Sequence, residues 1–502
     1  MNLPLTDLLV FLIYMTGIVL FGCSFFFRNR SSEQYTSGGG RLPAWAVGMS
    51  IFATFVSSIS FLALPGKAYQ SDWNAFVFSL SIPIAAYMAV KFFVPLYRSI
   101  NSISAYTYLE NRFGPWARIY ASLCYILTQI MRMGAILYLL ALPLNALFGW
   151  SIGLIIVITG SCVILYSMMG GIQAVIWTDA IQGIILIGGA LTCALILIFS
   201  MPGGPVQMFQ IAAAHHKFSL GSLSTSISES TFWVVLIYGL FINLQNYGID
   251  QNYVQRYMTT KTERQAKRSA LFGSLLYIPV SLVFFFIGTA LFAYYNAQPD
   301  LLPGYLNEPA AADKIFPYFM VNGLPAGLTG LLIASVFAAG MSTVSTSING
   351  TATIIHTDYF KRYLRMKSSG QSSMHVLYIA SVLIGYAGVG IALAMIKVQS
   401  ALDTWWTLAS IFSGGMLGLF LLGYFARNVR KMNAAIGVAA GILVIFWLSL
   451  SPLYFNHGNW VKFRSPFHAN LTIVIGTSVI FLLGFLLSKH KNPINDSQTR
   501  LN

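Results

Sequence analysis

The chain has 502 residues, of which 56% are hydrophobic and only 9% charged, whereas soluble domains carry about a quarter charged residues. That balance excludes a water-soluble globular domain and makes a bilayer the expected solvent. A formal charge of +15 would suggest nucleic acid in a soluble protein, but here the basic residues sit in loops between apolar spans, so no nucleic-acid partner is expected.

Apolar stretches long enough to cross a hydrocarbon core of about 30 Å recur along the chain. In order, the predicted spans are Leu5 to Phe27, Pro43 to Leu64, Ala75 to Tyr97, Ala117 to Phe148, Ser151 to Met169, Thr178 to Ile198 and Thr231 to Asn246. They continue with Ala270 to Tyr295, Gly327 to Ile355, Val376 to Lys397, Leu402 to Tyr424, Asn433 to Leu450 and Leu471 to Leu487, 13 in all. The residues before the first span lack positive charge and no small-residue cleavage site follows it, so it is expected to stay in place.

Alternate loops collect the basic residues. One side holds Arg28, Arg30, Arg41; Arg98, Arg112, Arg118; Arg256, Lys261, Arg264, Lys267, Arg268; Lys361, Arg362, Arg365, Lys367; Arg427, Arg430, Lys431; and Lys489, Lys491, Arg500. The other side has only Lys67, Lys217, Lys314, Lys397, Lys462 and Arg464. The positive-inside bias therefore predicts an N-terminus outside and a C-terminus inside.

Several absences narrow the chemistry. The chain has no phosphate-binding loop ending in Lys and Ser or Thr, and Gly38 to Gly40 reads as a linker. Any work must draw on an ion gradient. Cys23, Cys124, Cys162 and Cys193 lie in apolar segments and are expected as buried, reduced thiols. No His has a helix-spaced metal partner, so each is expected on a solvated surface, and an intramembrane enzyme with catalytic residues is not expected.

Polar groups within hydrocarbon are functional candidates by default. Arg132 lies mid-span, where it either binds an anionic ligand or pairs with helix-end carbonyls. Asp179 opens the sixth span after Gly170-Gly171, as a ligand or as an interfacial helix cap. The second span carries Ala53, Val56, Ser57, Ser58 and Ser60 before Pro65-Gly66, a pattern that predicts a helix interrupted at mid-membrane with backbone carbonyls freed for a ligand or cation. The ninth span has Ala338, Ala339, Gly340, Ser342, Thr343, Ser345, Thr346 and Ser347. Ser342 shares a face with Ser345 and Thr346, which makes an oxygen cage for sodium or a plain packing face. The seventh span ends in Asn243, Gln245, Asn246, Tyr247 and Asp250, polar enough for a second interruption. Asn243 is a candidate substrate contact.

The segment GGIQAVIWTDAIQ from Gly170 to Gln182, the stretch Asp250 to Tyr257 and the stretch Ala339 to Thr346 together resemble the sodium/solute symporter family, in the family's order and over nearly the whole chain. The resemblance implies an all-α membrane fold with 13 transmembrane helices. An extra N-terminal helix (5–27) precedes two inverted five-helix repeats (LeuT-like, 43–198 and 231–424), and two C-terminal helices (433–487) follow, all in one domain over 1–502. It implies one or two Na+ ions. The principal site would use the carbonyls of Ala53, Val56 and Ala339 with the hydroxyls of Ser342 and Thr343; a second would use Asp179, Ser342, Ser345 and Thr346.

In members that carry sialic acids, an Arg matching Arg132 pairs with the substrate carboxylate, and further contacts would fall on Ser57, Ser60, Phe78 and Ser79. Ser79 replaces the Gln expected there, which leaves the particular sugar acid open. The implied activity is sodium-coupled uptake of a small organic solute, an anionic sugar acid such as sialic acid, by a protein of the bacterial inner membrane that works as a monomer. A neutral sugar, polyol or other carboxylate is the alternative cargo. A non-transporting membrane sensor is the alternative of another class.

Overall fold

A computed structural model describes residues 5–27, 31–306, 312–363, 370–396, 415–426, 428–455 and 458–489. Among them every regular element is helical. Ten helices are long and apolar enough to cross a membrane, or eleven when one bent pair counts as a single span. The chain is therefore a multi-pass membrane protein.

The helices in chain order are α1 (Leu5–Ser24), α2 (Ala44–Phe55), α3 (Ser58–Gln70), α4 (Asn74–Ile100), α5 (Pro115–Phe148), α6 (Ile152–Phe199), α7 (Gly204–Ala214) and α8 (Phe232–Ile249). There follow α9 (Gln251–Tyr257), α10 (Glu263–Ala297), α11 (Ala312–Asn322), α12 (Leu328–Ile354), α13 (Gly370–Met395), α14 (Gly415–Phe425), α15 (Lys431–Tyr454) and α16 (Leu471–Lys489).

The fifth and sixth predicted spans form one helical run, α6, whose only non-helical residue is Gly171 at φ 54° and ψ −158°. A side chain there would meet the Tyr35 carbonyl oxygen at 2.8 Å, and the left-handed φ favours glycine independently. Residues 402–414 of the eleventh predicted span lie outside the described residues, and α14 covers its end.

The second predicted span does break, and the interruption falls ahead of Pro65-Gly66. The helix runs through Pro65 and is interrupted at Val56 and Ser57, with a bend of 55° between α2 and α3. Pro inside a membrane helix is tolerated where neighbouring helices cover the backbone, and Pro65 and Gly66 are buried.

α12 lies at the centre. Of its most apolar window 94% of residues are buried, against 28% for α1 at the periphery. Its N-terminus has no side-chain cap of its own. Instead Asp7 of α1, buried, accepts from the backbone N–H of Gly327 at 2.7 Å and of Gly330 at 2.8 Å. A carboxylate at the positive end of the helix dipole holds the two elements together.

Candidate sodium and solute site

The break in α2–α3 follows from two extended residues. Val56 sits at φ −79°, ψ 116° and Ser57 at φ −112°, ψ 175°, so the helix cannot continue and the last carbonyls of α2 lose their intrahelical donors. This frayed end meets α12 directly. Thr54 Oγ1 lies 3.2 Å from Thr346 Oγ1, and Thr346 stands one turn from Ser342 on the same face. Ala53, Val56, Ala339, Ser342 and Thr343 are all buried. Thr343 Oγ1 donates to the Ala339 carbonyl at 3.2 Å, and Ser345 Oγ to the Ser342 carbonyl at 3.0 Å, so both hydroxyls keep lone pairs available.

Two oxygens in this region are orphaned. Ser342 Oγ and Asp179 Oδ1 are buried and have no hydrogen-bond partner. A buried polar atom left unpaired costs about 1–3 kcal/mol, and a small hard cation is what hydroxyl and carboxylate oxygens would satisfy together. The residues present therefore fit sodium as cargo.

Of the two readings of Asp179, the interfacial helix cap is excluded. Asp179 lies about two turns past Gly171, inside α6, and is fully buried, not an interfacial cap. Its other oxygen, Oδ2, accepts from Ser50 Oγ at 2.5 Å and from Arg256 at 2.8 Å. Arg256, expected in a cytoplasmic loop, is 1% exposed and saturated: it also donates to Ser50 Oγ at 2.7 Å, Thr346 Oγ1 at 2.7 Å and the Asn252 carbonyl at 2.7 Å. Sequence reasoning missed it because it precedes a run of true loop cations. The signal was its place in the Asp250 to Tyr257 stretch, straight after a polar helix end.

The expected solute contacts fall into two groups. Arg132 is partly exposed, and its guanidinium donates to the Thr54 carbonyl at 3.3 Å, at the frayed end of α2. Ser57 at the break is buried and Ser60 half-buried. Phe78 packs on Tyr238 with ring centroids 5.7 Å apart. Asn243 joins this second group: its Nδ2 donates to the Phe78 carbonyl at 3.3 Å and to Ser81 Oγ at 3.0 Å, while its buried Oδ1 has no partner. Ser79 is buried, with its hydroxyl 2.9 Å from Ser281 Oγ. Below the break Phe55 stacks on Tyr247 at 5.3 Å and meets Tyr277 edge-on at 4.5 Å, an aromatic floor.

The C-terminal end of α3 is clamped by a residue expected in a solvated connector. Lys217 is buried and donates to the carbonyls of Tyr69 at 2.7 Å and Ser71 at 2.8 Å, with its ammonium 3.9 Å from the Phe292 ring centroid. Burial pulls its pKa down to about 8, opposed by the nearby Asp72 carboxylate. At the other end, Arg118 pairs with Glu110 at 2.7 Å and Asp358 at 2.5 Å, and Arg362 pairs with Glu110. Three of these four residues come from the short helical segments that follow α4 and α12. The four cysteines are free thiols, with Cys193 buried and the others half-buried. His356 is also buried, against the expectation of a solvated surface.

An interrupted helix meeting a hydroxyl-rich central helix defines a transporter that binds a cation between two elements. The Sodium:solute symporter family matches residues 35–441, and the chain belongs to it. It is a symporter that binds sodium and moves a small solute with it. It is 36% identical over 439 residues to the sodium/sialic acid symporter SiaT of Proteus mirabilis, covering 86% of this chain and 87% of that protein. It is 34% identical over 492 residues to the sodium/sialic acid symporter NanT of Aliivibrio fischeri, covering 97% and 93%. A solved structure of a sodium-coupled sialic acid symporter, substrate-bound and outward-open, superposes with a TM-score of 0.89 at 32% identity over 98% of this chain and 99% of that one.

Proposed function

We propose that this chain takes up sialic acid with sodium, binding the ions where α2 ends against α12 and the sugar acid beside Arg132. The observation that carries the reading is the pair of orphaned oxygens among the described residues, Ser342 Oγ and Asp179 Oδ1, on helices that the end of α2 touches through Thr54 to Thr346 and Ser50 to Asp179. The principal ion takes the carbonyls of Ala53, Val56 and Ala339 and the hydroxyls of Ser342 and Thr343. The second takes Asp179, Ser342, Ser345 and Thr346. Arg132, bonded through one nitrogen to Thr54, offers the rest of its planar fork to a carboxylate. Ser57, Ser60, Phe78 and Asn243 line the remainder. Ser79 enters only by exchanging its bond to Ser281.

The sodium ions join α2–α3 to α12, and each ligand tightens the other through the shared break. The interruption of α8 from α9 at Asp250 mirrors that of α2 from α3, which supports two inverted repeats, 43–198 and 231–424, within 13 spans in one domain. Loop charge supports an N-terminus outside and a C-terminus in the cytoplasm of a bacterial inner membrane, with a single chain as the working unit.

Two sodium ions and a monoanion carry one net charge inward, about 2.3 kcal/mol per 100 mV. A tenfold sodium gradient adds about 1.4 kcal/mol per ion. The sum, about 5 kcal/mol, supports accumulation of roughly a few thousandfold. Sodium-driven uptake of sialic acid in proteoliposomes, recorded with the accompanying current, tests the reading. Inward current is the expected result; sodium-driven but electrically silent uptake removes the second ion at Asp179, and sodium-independent uptake removes both. The bond from Arg132 to a helix-end carbonyl favours a second reading, a neutral sugar as cargo with Arg132 as a structural clamp.

A further inference from the structure

Below Ser342 the polar face of α12 does not end. Thr346, Asn349, Thr353 and His356 follow at alternating intervals of four and three residues, which keeps them on one stripe over about 20 Å, and all are buried. Small residues alone would read as a packing face, but Asn349 and His356 are large, and both ring nitrogens of His356 have no partner. An orphaned imidazole in the body of a membrane protein is costly and calls for a ligand.

The stripe is covered by α9. Arg256 bridges Asp179 and Thr346, and one residue earlier the two N–H groups of Gln255 Nε2 are shared among three acceptors, Asn349 Oδ1 at 3.0 Å, Thr353 Oγ1 at 3.1 Å and the Thr36 carbonyl at 2.7 Å. That one amide ties α9, α12 and the segment before α2 together. Past His356, and off the stripe, Asp358 pairs with Arg118 beside the short basic helix Lys361–Tyr363.

We propose that this stripe is the path by which sodium leaves for the cytoplasm, with Gln255 as its closure and His356 as the last oxygen-poor, nitrogen-bearing stop before the mouth. The inference rests on the reading that Asp179 and Ser342 hold sodium. When the Gln255 amide lets go, Asn349 Oδ1, Thr353 Oγ1 and the Thr36 carbonyl become three acceptors that a dehydrated cation can use in turn.

The test compares two modes of the full-length protein in proteoliposomes, with radioactive sialic acid. Net uptake into sodium-free vesicles requires sodium release inside, whereas exchange of labelled for unlabelled sialic acid with saturating sodium on both sides does not. His356→Leu is expected to lower net uptake about tenfold, the effect of withdrawing one buried polar partner, while exchange keeps the wild-type rate and the external sodium requirement stays put. His356→Gln restores net uptake. Gln255→Leu is expected to raise solute-free efflux of radioactive sodium from loaded vesicles. Equal losses in net uptake and exchange, or no loss in either, overturn the proposal. Exchange by the wild-type protein that needs no sodium overturns the ion site itself, a separate outcome.

Discussion

Two arginines sit within the membrane-spanning body, and they are bonded in opposite ways. Arg256 is closed in by four hydrogen bonds, one of them to a carboxylate, whereas Arg132 gives one 3.3 Å bond to a backbone carbonyl and keeps part of its surface open. A saturated buried charge maintains the fold around it, because removing either partner strands the other. An unsaturated one has capacity left for something that arrives. The difference separates structure from recognition more cleanly than depth in the membrane does, since sequence depth alone marked Arg132 and passed over Arg256.

The sharpest way to break that contrast is Arg256→Met. With Asp179 left buried and unpaired, the variant is expected to lose about 3–5 kcal/mol of stability, read as a fall in thermal unfolding temperature in detergent. Added sodium should recover part of the loss, because an ion that binds only the folded state stabilises it by mass action. A variant as stable as wild type would mean that the pair is dispensable. Next in size, Arg132→Ala is expected to lower sialic acid uptake about a hundredfold through loss of a charge-assisted bidentate contact. Its unfolding temperature should barely move. Arg132→Lys, a point charge without the fork, should restore only part. If Arg132→Ala unfolds easily and transports normally when folded, the two arginines have the same role and the neutral-sugar reading gains.

Much of this was legible in residues. The oxygen-rich face of α12, the interrupted second span and the mid-membrane position of Arg132 follow from helical spacing and from the cost of polar atoms in hydrocarbon. The place of the break follows from the resemblance, which put the carbonyls at Ala53 and Val56, and not from the local pattern, since tertiary cover keeps α3 helical through Pro65. Arg256 was hidden for a different reason: sequence neighbours suggest a loop, and only packing reveals that Ser50, Asp179 and Thr346 converge on it from three helices. Lys217 and His356 failed likewise, as residues whose burial depends on elements far away in the chain.

A smaller effect refines the site. Ser342→Ala is expected to raise the sodium concentration for half-maximal uptake about tenfold, with no loss of sodium-free stability and a gain where the unpaired buried hydroxyl is relieved. Lost stability without a sodium shift would assign Ser342 to packing.

A pH effect concerns Lys217. Its folded pKa of about 8 lies below the ordinary 10.5, so between those values the unfolded chain binds more protons than the folded one. Stability from this group should therefore rise as pH climbs from about 8 toward 10.5 and be flat below. Lys217→Met should lack that slope in thermal unfolding against pH; an identical slope in both proteins assigns it elsewhere.

The most direct test is calorimetric titration of sialic acid into the purified protein, in sodium and in potassium. Saturable binding in sodium that vanishes in potassium, and that Ser342→Ala recovers only at raised sodium, is the predicted result. Equal affinity in both salts would contradict the coupling of solute to ion across the break.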